Sequence, residues 1–162
     1  MSVSYPIGSD HQLARLLQIG VVLEEVVEAR STKHHRAMAD EELDPAIVAL
    51  LEHAAEESAE HRERLEELID QLDADSVPFE EVADLVEARY GQSKPEDFDG
   101  VLYDQLCNEE TAYKFYDDLL SAIESSEVQF GVDRETLVET LEEIRAEEAA
   151  GVEDVTELME RA

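Results

Sequence analysis

The sequence predicts an all-helical protein and, within that class, a four-helix bundle. Three observations predict it. Apolar residues recur at spacings of three and four through four long stretches, the period of one buried helix face. Pro45, Pro78, Pro95, Gly100 and Gly131 fall between those stretches. No stretch alternates apolar and polar residues in the period-two manner of a strand. With 162 residues and 43% apolar composition, the chain suits one domain, residues 1–162, with a packed core.

Ser9 followed by Gln12 reads as a capping box opening the first helix. Leu13, Leu17, Gly20, Leu23 and Val27 carry that helix to about Ala39. Asp44-Pro45 starts the second, with Asp as N-cap and Pro at the first helical position. Its apolar face is Ile47, Leu50, Leu51, Ala54, Leu65, Leu68 and Ile69. The stretch from about Gln71 to Gly100 differs, with Pro78, Gly91 and Pro95 around one short amphipathic helix, roughly Phe79 to Tyr90. It reads as a long crossover. The third helix begins near Val101 and runs through Leu102, Leu106, Tyr113, Tyr116, Leu120 and Ile123 to about Ser125. Gly131 breaks the chain, and Asp133 caps the fourth helix, which carries Leu137, Leu141, Ile144, Val152, Val155 and Leu158. Short outer connections and one long middle connection describe a bundle with a single crossover. An up-down bundle with a decorated loop is the alternative.

Asp and Glu number 43 against 12 Lys and Arg, a formal net charge of −31. Such a charge repels nucleic acid and anionic lipid and argues against both as partners. At molar salt the Debye length is about 3 Å, so self-repulsion of this size is tolerable where salt is abundant. Only Lys33, Lys94 and Lys114 are lysines. A lysine-poor, carboxylate-rich surface suits a halophilic source; an acidic interaction protein is the alternative. The longest apolar run, Ile19 to Leu23, is too short to span a bilayer, and the N-terminus lacks the pattern of a signal peptide. The single Cys107 excludes an intramolecular disulfide and a cysteine-based zinc site. A cytoplasmic protein is expected.

Among so many acids, a carboxylate is informative only where it shares a stripe with core residues. Glu24 lies seven after Leu17 and three before Val27, and Glu28 follows one turn along the same edge. Glu57 lies three after Ala54, and His61 lies four after Glu57 and four before Leu65. Glu109 lies three after Leu106 and seven before Tyr116, with Glu110 nearer the edge. Glu148 lies four after Ile144 and seven before Val155. Each long helix thus aims one acid inward near mid-length. Buried carboxylates raise one another's pKa and need compensation, which a pair of metal ions supplies directly. The alternative is that these acids sit at bundle edges with their heads in water.

The run Glu109-Glu-Thr-Ala112-Tyr-Lys-Phe115-Tyr116-Asp-Asp-Leu119 resembles the third helix of ferritin-like proteins of the rubrerythrin type, Glu-x-x-Ala-x-x-Phe-Tyr-x-x-Leu. Leu141-Glu-Glu-Ile144-Arg-Ala-Glu147-Glu148-Ala-Ala-Gly151 is similar to their fourth helix, where an apolar pair precedes Glu-Glu-x-x-His. Ala54-Ala-Glu-Glu57-Ser58-Ala-Glu60-His61-Arg-Glu-Arg-Leu65 resembles their second. The likeness runs from about residue 10 to 160 and implies a ferritin-like bundle binding two irons. It implies Glu24 or Glu28, Glu57, His61, Glu109 and Glu148 as candidate ligands. Two positions depart from the pattern: Ser58 stands where the family has Glu, and Gly151 where it has His. One intact subsite beside a weakened one, water in place of a ligand, and loss of metal are all compatible with these departures.

The function expected is therefore iron binding, with oxygen- or peroxide-linked redox chemistry or iron oxidation where the centre is active. Glu57 and Glu109 would bridge, Glu24 and His61 would serve one ion, and Glu148 the other. Oxygen and nitrogen ligands suit manganese and zinc as well as iron. The competing expectation is a bundle that has lost its metal and serves association or regulation; an acidic helical adaptor is a third. Tyr113 or Tyr116 could hydrogen-bond a ligand, although core packing is the commoner role. His34 and His35 are weaker nitrogen candidates, because adjacent residues point about 100° apart on a helix. Cys107 is expected as a small core residue. The wide apolar face of the first helix, Leu13 to Val27, suggests a homo-oligomer, dimeric or larger.

Overall fold

The computed structural model describes residues 6–38, 44–75, 77–78, 80–84 and 98–161, excepting the side chains of 35–38, 98 and 99. Among these residues there is no strand. Four long helices, α1 (Asp10–Met38), α2 (Pro45–Asp70), α3 (Phe98–Glu124) and α4 (Arg134–Arg161), form an all-helical bundle. Residues 80–84 are helical; the remainder of the short helix expected to run to Tyr90, and the side chain of His35, lie outside the described residues. No described helix is long and apolar enough to cross a membrane.

The helix starts use the caps that the sequence provides. The Gln12 N–H donates to Ser9 Oγ at 3.2 Å, and Gln12 Oε1 reaches back to the Gly8 N–H at 2.5 Å, one residue short of a reciprocal box. Asp44 accepts from the Ala46 N–H at 2.9 Å, and Asp133 from the Thr136 N–H at 3.1 Å. α3 begins three residues before the expected Val101, with Gly100 inside its first turn. One helical glycine costs about 1 kcal/mol. Burial of Val101 and Leu102 immediately after it outweighs that cost.

α1 packs along α2, and α3 along α4; the two pairs meet through α1–α3 and α2–α4. Side-chain partners give the directions. Tyr116–Glu24, Asn108–Arg30 and Asp104–His34 match rising numbers on α1 with falling numbers on α3. Glu148–His61 and Glu143–Arg64 do the same for α4 and α2. Both contacts are antiparallel.

The apolar core is divided. One cluster joins Leu13, Leu17, Leu65, Phe115, Leu119, Ile123, Leu137, Leu141 and Ile144 at one end. A smaller one joins Ile47, Leu51, Val101, Leu102 and Val155 at the other. Between them stand Glu57, Glu109 and Glu148 on α2, α3 and α4, and Glu24 of α1 reaches the same level. The larger apolar cluster closes one side of this polar layer, whereas on the other side buried Ser31, His34, Asp104 and Gln105 continue it along the α1–α3 seam.

At the larger end, Asp10 accepts from the backbone N–H groups of Asp73 (3.0 Å) and Gly131 (3.1 Å), tying two connections together. A Cβ at Gly131 would lie 2.7 Å from Asp10 Oδ2, so this close approach needs glycine. Arg134 donates to the carbonyls of Ile123, Ser126 and Val128 and stacks over Phe130. Ile19, Val21 and Val22, which widen the apolar face of α1, share the larger core with Leu72, Val77 and Val82 of the same chain.

Candidate metal centre

The acids aimed inward converge on His61, whose side chain is wholly buried. Its Nδ1 lies 3.2 Å from Glu24 Oε1 and 3.1 Å from Glu148 Oε1, while Nε2 meets Glu147. Three overlapping groups result, each with ligand atoms within 4.8 Å of one another: Glu24, His61 and Glu148; Glu57, His61 and Glu147; Glu57, Glu109 and Glu148. All four helices contribute.

Helix phase explains the convergence. Glu57 and His61 are one turn apart on the face of α2 that also buries Ala54 and Leu65. Glu24 follows Leu17 and Leu23 into the interior, and Glu148 lies between Ile144 and Val155 on the buried stripe of α4. Glu109 is buried beside Ala112, whereas neighbouring Glu110 is exposed.

The surroundings hold the carboxylates in place. The Tyr116 hydroxyl donates to Glu24 Oε1 at 2.6 Å. Gln105 Nε2 donates to Glu109 Oε1 at 3.0 Å, and Ser31 Oγ donates to Gln105 Oε1 at 3.1 Å. His53 Nε2 lies 3.1 Å from Glu57 Oε2. The second oxygens of Glu24 and Glu109 are buried and receive no N–H or hydroxyl donor, their acidic neighbour Glu148 being the one group that shares a proton with them. Buried acceptors are ordinarily satisfied, so these two ask for a ligand.

The charge imbalance appears in the proton affinities. Burial raises Glu57 from 4.5 to about 7, with Glu109 and Glu147 adding to the shift and His61 and His53 opposing it. Burial also raises Glu109, and it carries Glu148 well above the carboxylate range, helped by the charge of Glu24. For His61, burial opposes the charged form, but the hydrogen bonds and charges of Glu24 and Glu147 outweigh it and lift the imidazole to about 9. The Tyr116 phenol is pushed well above its ordinary value by burial and by Glu24, so it stays a donor. Without another cation, the cluster is balanced by protons.

The remaining candidates fall elsewhere. Glu28 is part-exposed and accepts from Arg62 Nη1 at 2.6 Å, outside the three groups. His34 pairs with Asp104 at 2.9 Å along the α1–α3 seam. Tyr113 is exposed. Cys107, expected in the core, is exposed because α3 buries 105, 108, 109 and 112 and turns position 107 away from that face. Glu147 was not among the ligands read from the sequence. Its position lies about 100° from Glu148 around α4, off the stripe, and only its long side chain returns to His61. The adjacent Glu147-Glu148 pair was the available signal.

Gly151 has a specific neighbour. A Cβ there would lie 2.5 Å from Glu109 Oε2 and 2.7 Å from Glu109 Cδ. The carboxylate of α3 thus occupies the space of a side chain on α4.

The donor set suits a metal ion: carboxylate oxygens and one imidazole, two orphaned oxygens, and an excess of negative charge. No protein-family model, curated protein or solved structure matches the chain.

Proposed function

We propose that the protein is a ferritin-like metal-binding bundle whose centre holds two ions, with iron as the first candidate. The observation that carries this reading is the buried layer itself. Acids from four helices surround one histidine, and two of their buried oxygens receive no N–H or hydroxyl donor. The topology agrees with it. Gly20 facing Leu65 and Glu24 facing His61 make α1 and α2 antiparallel as well, so α2 and α3 run the same way, the direction expected of a bundle with one crossover. Iron is taken from the resemblance of residues 109–119 and 141–151; manganese and zinc suit the donors equally.

In this reading Glu24, His61 and Glu148 hold one ion, Glu57, Glu109 and Glu148 the other. Bound iron would supply oxygen- or peroxide-linked redox chemistry or iron oxidation. The chain's own residues prepare the site. Glu147, facing Nε2 of His61, accepts the ring proton there and leaves the Nδ1 lone pair free to bind. Tyr116 orients Glu24, and Gln105 orients Glu109. Phe115, Leu65 and Ile144 exclude water from one side of the layer.

A second reading, a bundle without metal that serves association, rests on His61. With the imidazole lifted to about 9 and Glu148 protonated, the layer can balance itself. Elemental analysis of protein purified without chelator separates the two. The metal-binding reading expects about one to two ions per chain; metal-free protein, unable to bind added ions, supports the second.

A further inference from the structure

We infer that the two subsites of this centre are chemically unlike, and that Gly151 creates the second by giving the Glu109 carboxylate its place. The inference rests on the metal-binding reading above. One subsite, Glu24, His61 and Glu148, contains a nitrogen donor; the other, Glu57, Glu109 and Glu148, is built of carboxylates alone. Glu148 belongs to both.

His61 also lies in a third group with Glu57 and Glu147, but its ring N–H is given to Glu147, so its one lone pair serves a single subsite. His61 Nδ1 faces Glu24 and Glu148, both buried, and Nε2 faces Glu147, whose side chain is 40% exposed. A neutral imidazole has one lone pair. Pairing Nε2–H with Glu147 directs that lone pair toward the buried oxygens of Glu24 and Glu148, not toward Glu109.

Glu109 itself is set for a cation. Its side chain is 5% exposed. Gln105 holds Oε1 at 3.0 Å, and Oε2 is buried with no N–H or hydroxyl donor. That bare oxygen lies where a Cβ on residue 151 would sit 2.5 Å away, so any residue but glycine displaces it. Position 151 therefore trades a side chain of α4 for a carboxylate of α3. The product is an all-oxygen subsite, suited to a hard divalent cation such as Mn²⁺; the subsite with imidazole suits a borderline ion such as Zn²⁺ or Fe²⁺.

Gly151→Ala is a usable probe because the clash falls on the far end of a flexible side chain and alanine is the better helix former. Metal-free protein is loaded with one equivalent of Zn²⁺ and titrated with Mn²⁺, free Mn²⁺ being read from its electron paramagnetic resonance signal. Wild type should take up one further Mn²⁺. Gly151→Ala, with helix content checked by circular dichroism, should keep the Zn²⁺ and bind Mn²⁺ at least about tenfold more weakly. His61→Gln should show the opposite pattern, losing Zn²⁺ and retaining Mn²⁺. Unchanged Mn²⁺ binding in Gly151→Ala overturns the inference while leaving the metal centre standing. Failure of wild type to bind either ion overturns the metal-binding reading, and this inference with it.

Discussion

The hydroxyl of Tyr116 donates to Oε1 of Glu24 over 2.6 Å, and both side chains are buried between α1 and α3. The phenol keeps its proton, because burial and the charge of Glu24 raise its pKa well above the ordinary value. It is therefore a permanent donor to an acid that otherwise meets His61. Hydrogen bonds to charged groups contribute about 1.5–3 kcal/mol. Tyr116→Phe should lower the stability of the metal-free protein by that amount, read as a fall in the urea midpoint. An unchanged midpoint would mean that Glu24 is satisfied another way.

The acid layer gives the metal-free protein an inverted pH response. Glu57 is raised from 4.5 to about 7, so the folded state holds more protons than the unfolded state in that window, and stability falls as pH rises through it. His61 is raised from 6.5 to about 9; its contribution is complete below 6.5 and is lost as pH rises through 9. Both act in one direction. With chelator and molar salt to screen the surface, the melting temperature should fall from pH 5 to pH 9, and Glu57→Gln should flatten the lower half. Metal affinity should run the other way, because the ligands must lose their protons to bind.

Glu109 and Glu110 are neighbours in sequence with opposite surroundings, one buried in the layer and one exposed. Glu109→Ala should abolish uptake of the second ion, whereas Glu110→Ala should bind metal as wild type does. Stoichiometry by elemental analysis decides it. The reverse result would contradict the phase of α3.

The surface carries the rest of a formal net charge of −31. Its repulsion is screened as the Debye length falls from about 10 Å at 0.1 M to about 3 Å at 1 M salt. Thermal stability should therefore rise with added NaCl. A melting temperature insensitive to salt would contradict the repulsion on which the halophilic reading depends.

Apolar periodicity makes the helices legible in the sequence, and phase makes the inward acids legible. Glu24, Glu57, His61, Glu109 and Glu148 share stripes with leucines and valines, and the structure brings their ligand atoms together. What periodicity cannot see is reach and competition between partners. Glu28 lies on the same edge as Glu24 but pairs with Arg62 of the facing helix. Glu147 is off the stripe yet returns to His61. Gly151 reads as the loss of a ligand; packing shows that the Glu109 carboxylate of α3 fills the space beside it. Ile19, Val21 and Val22 of the wide α1 face share the core with Leu72, Val77 and Val82 of the same chain, a contact between segments far apart in sequence.

The most direct measurement is an anomalous-scattering map from crystals of protein purified without chelator. Two peaks are expected in the middle of the bundle, one among Glu24, His61 and Glu148 and one among Glu57, Glu109 and Glu148. A map with no peak in this layer, from crystals soaked in Fe²⁺ or Mn²⁺, would contradict the metal centre and leave His61 and protonated acids to hold the layer together.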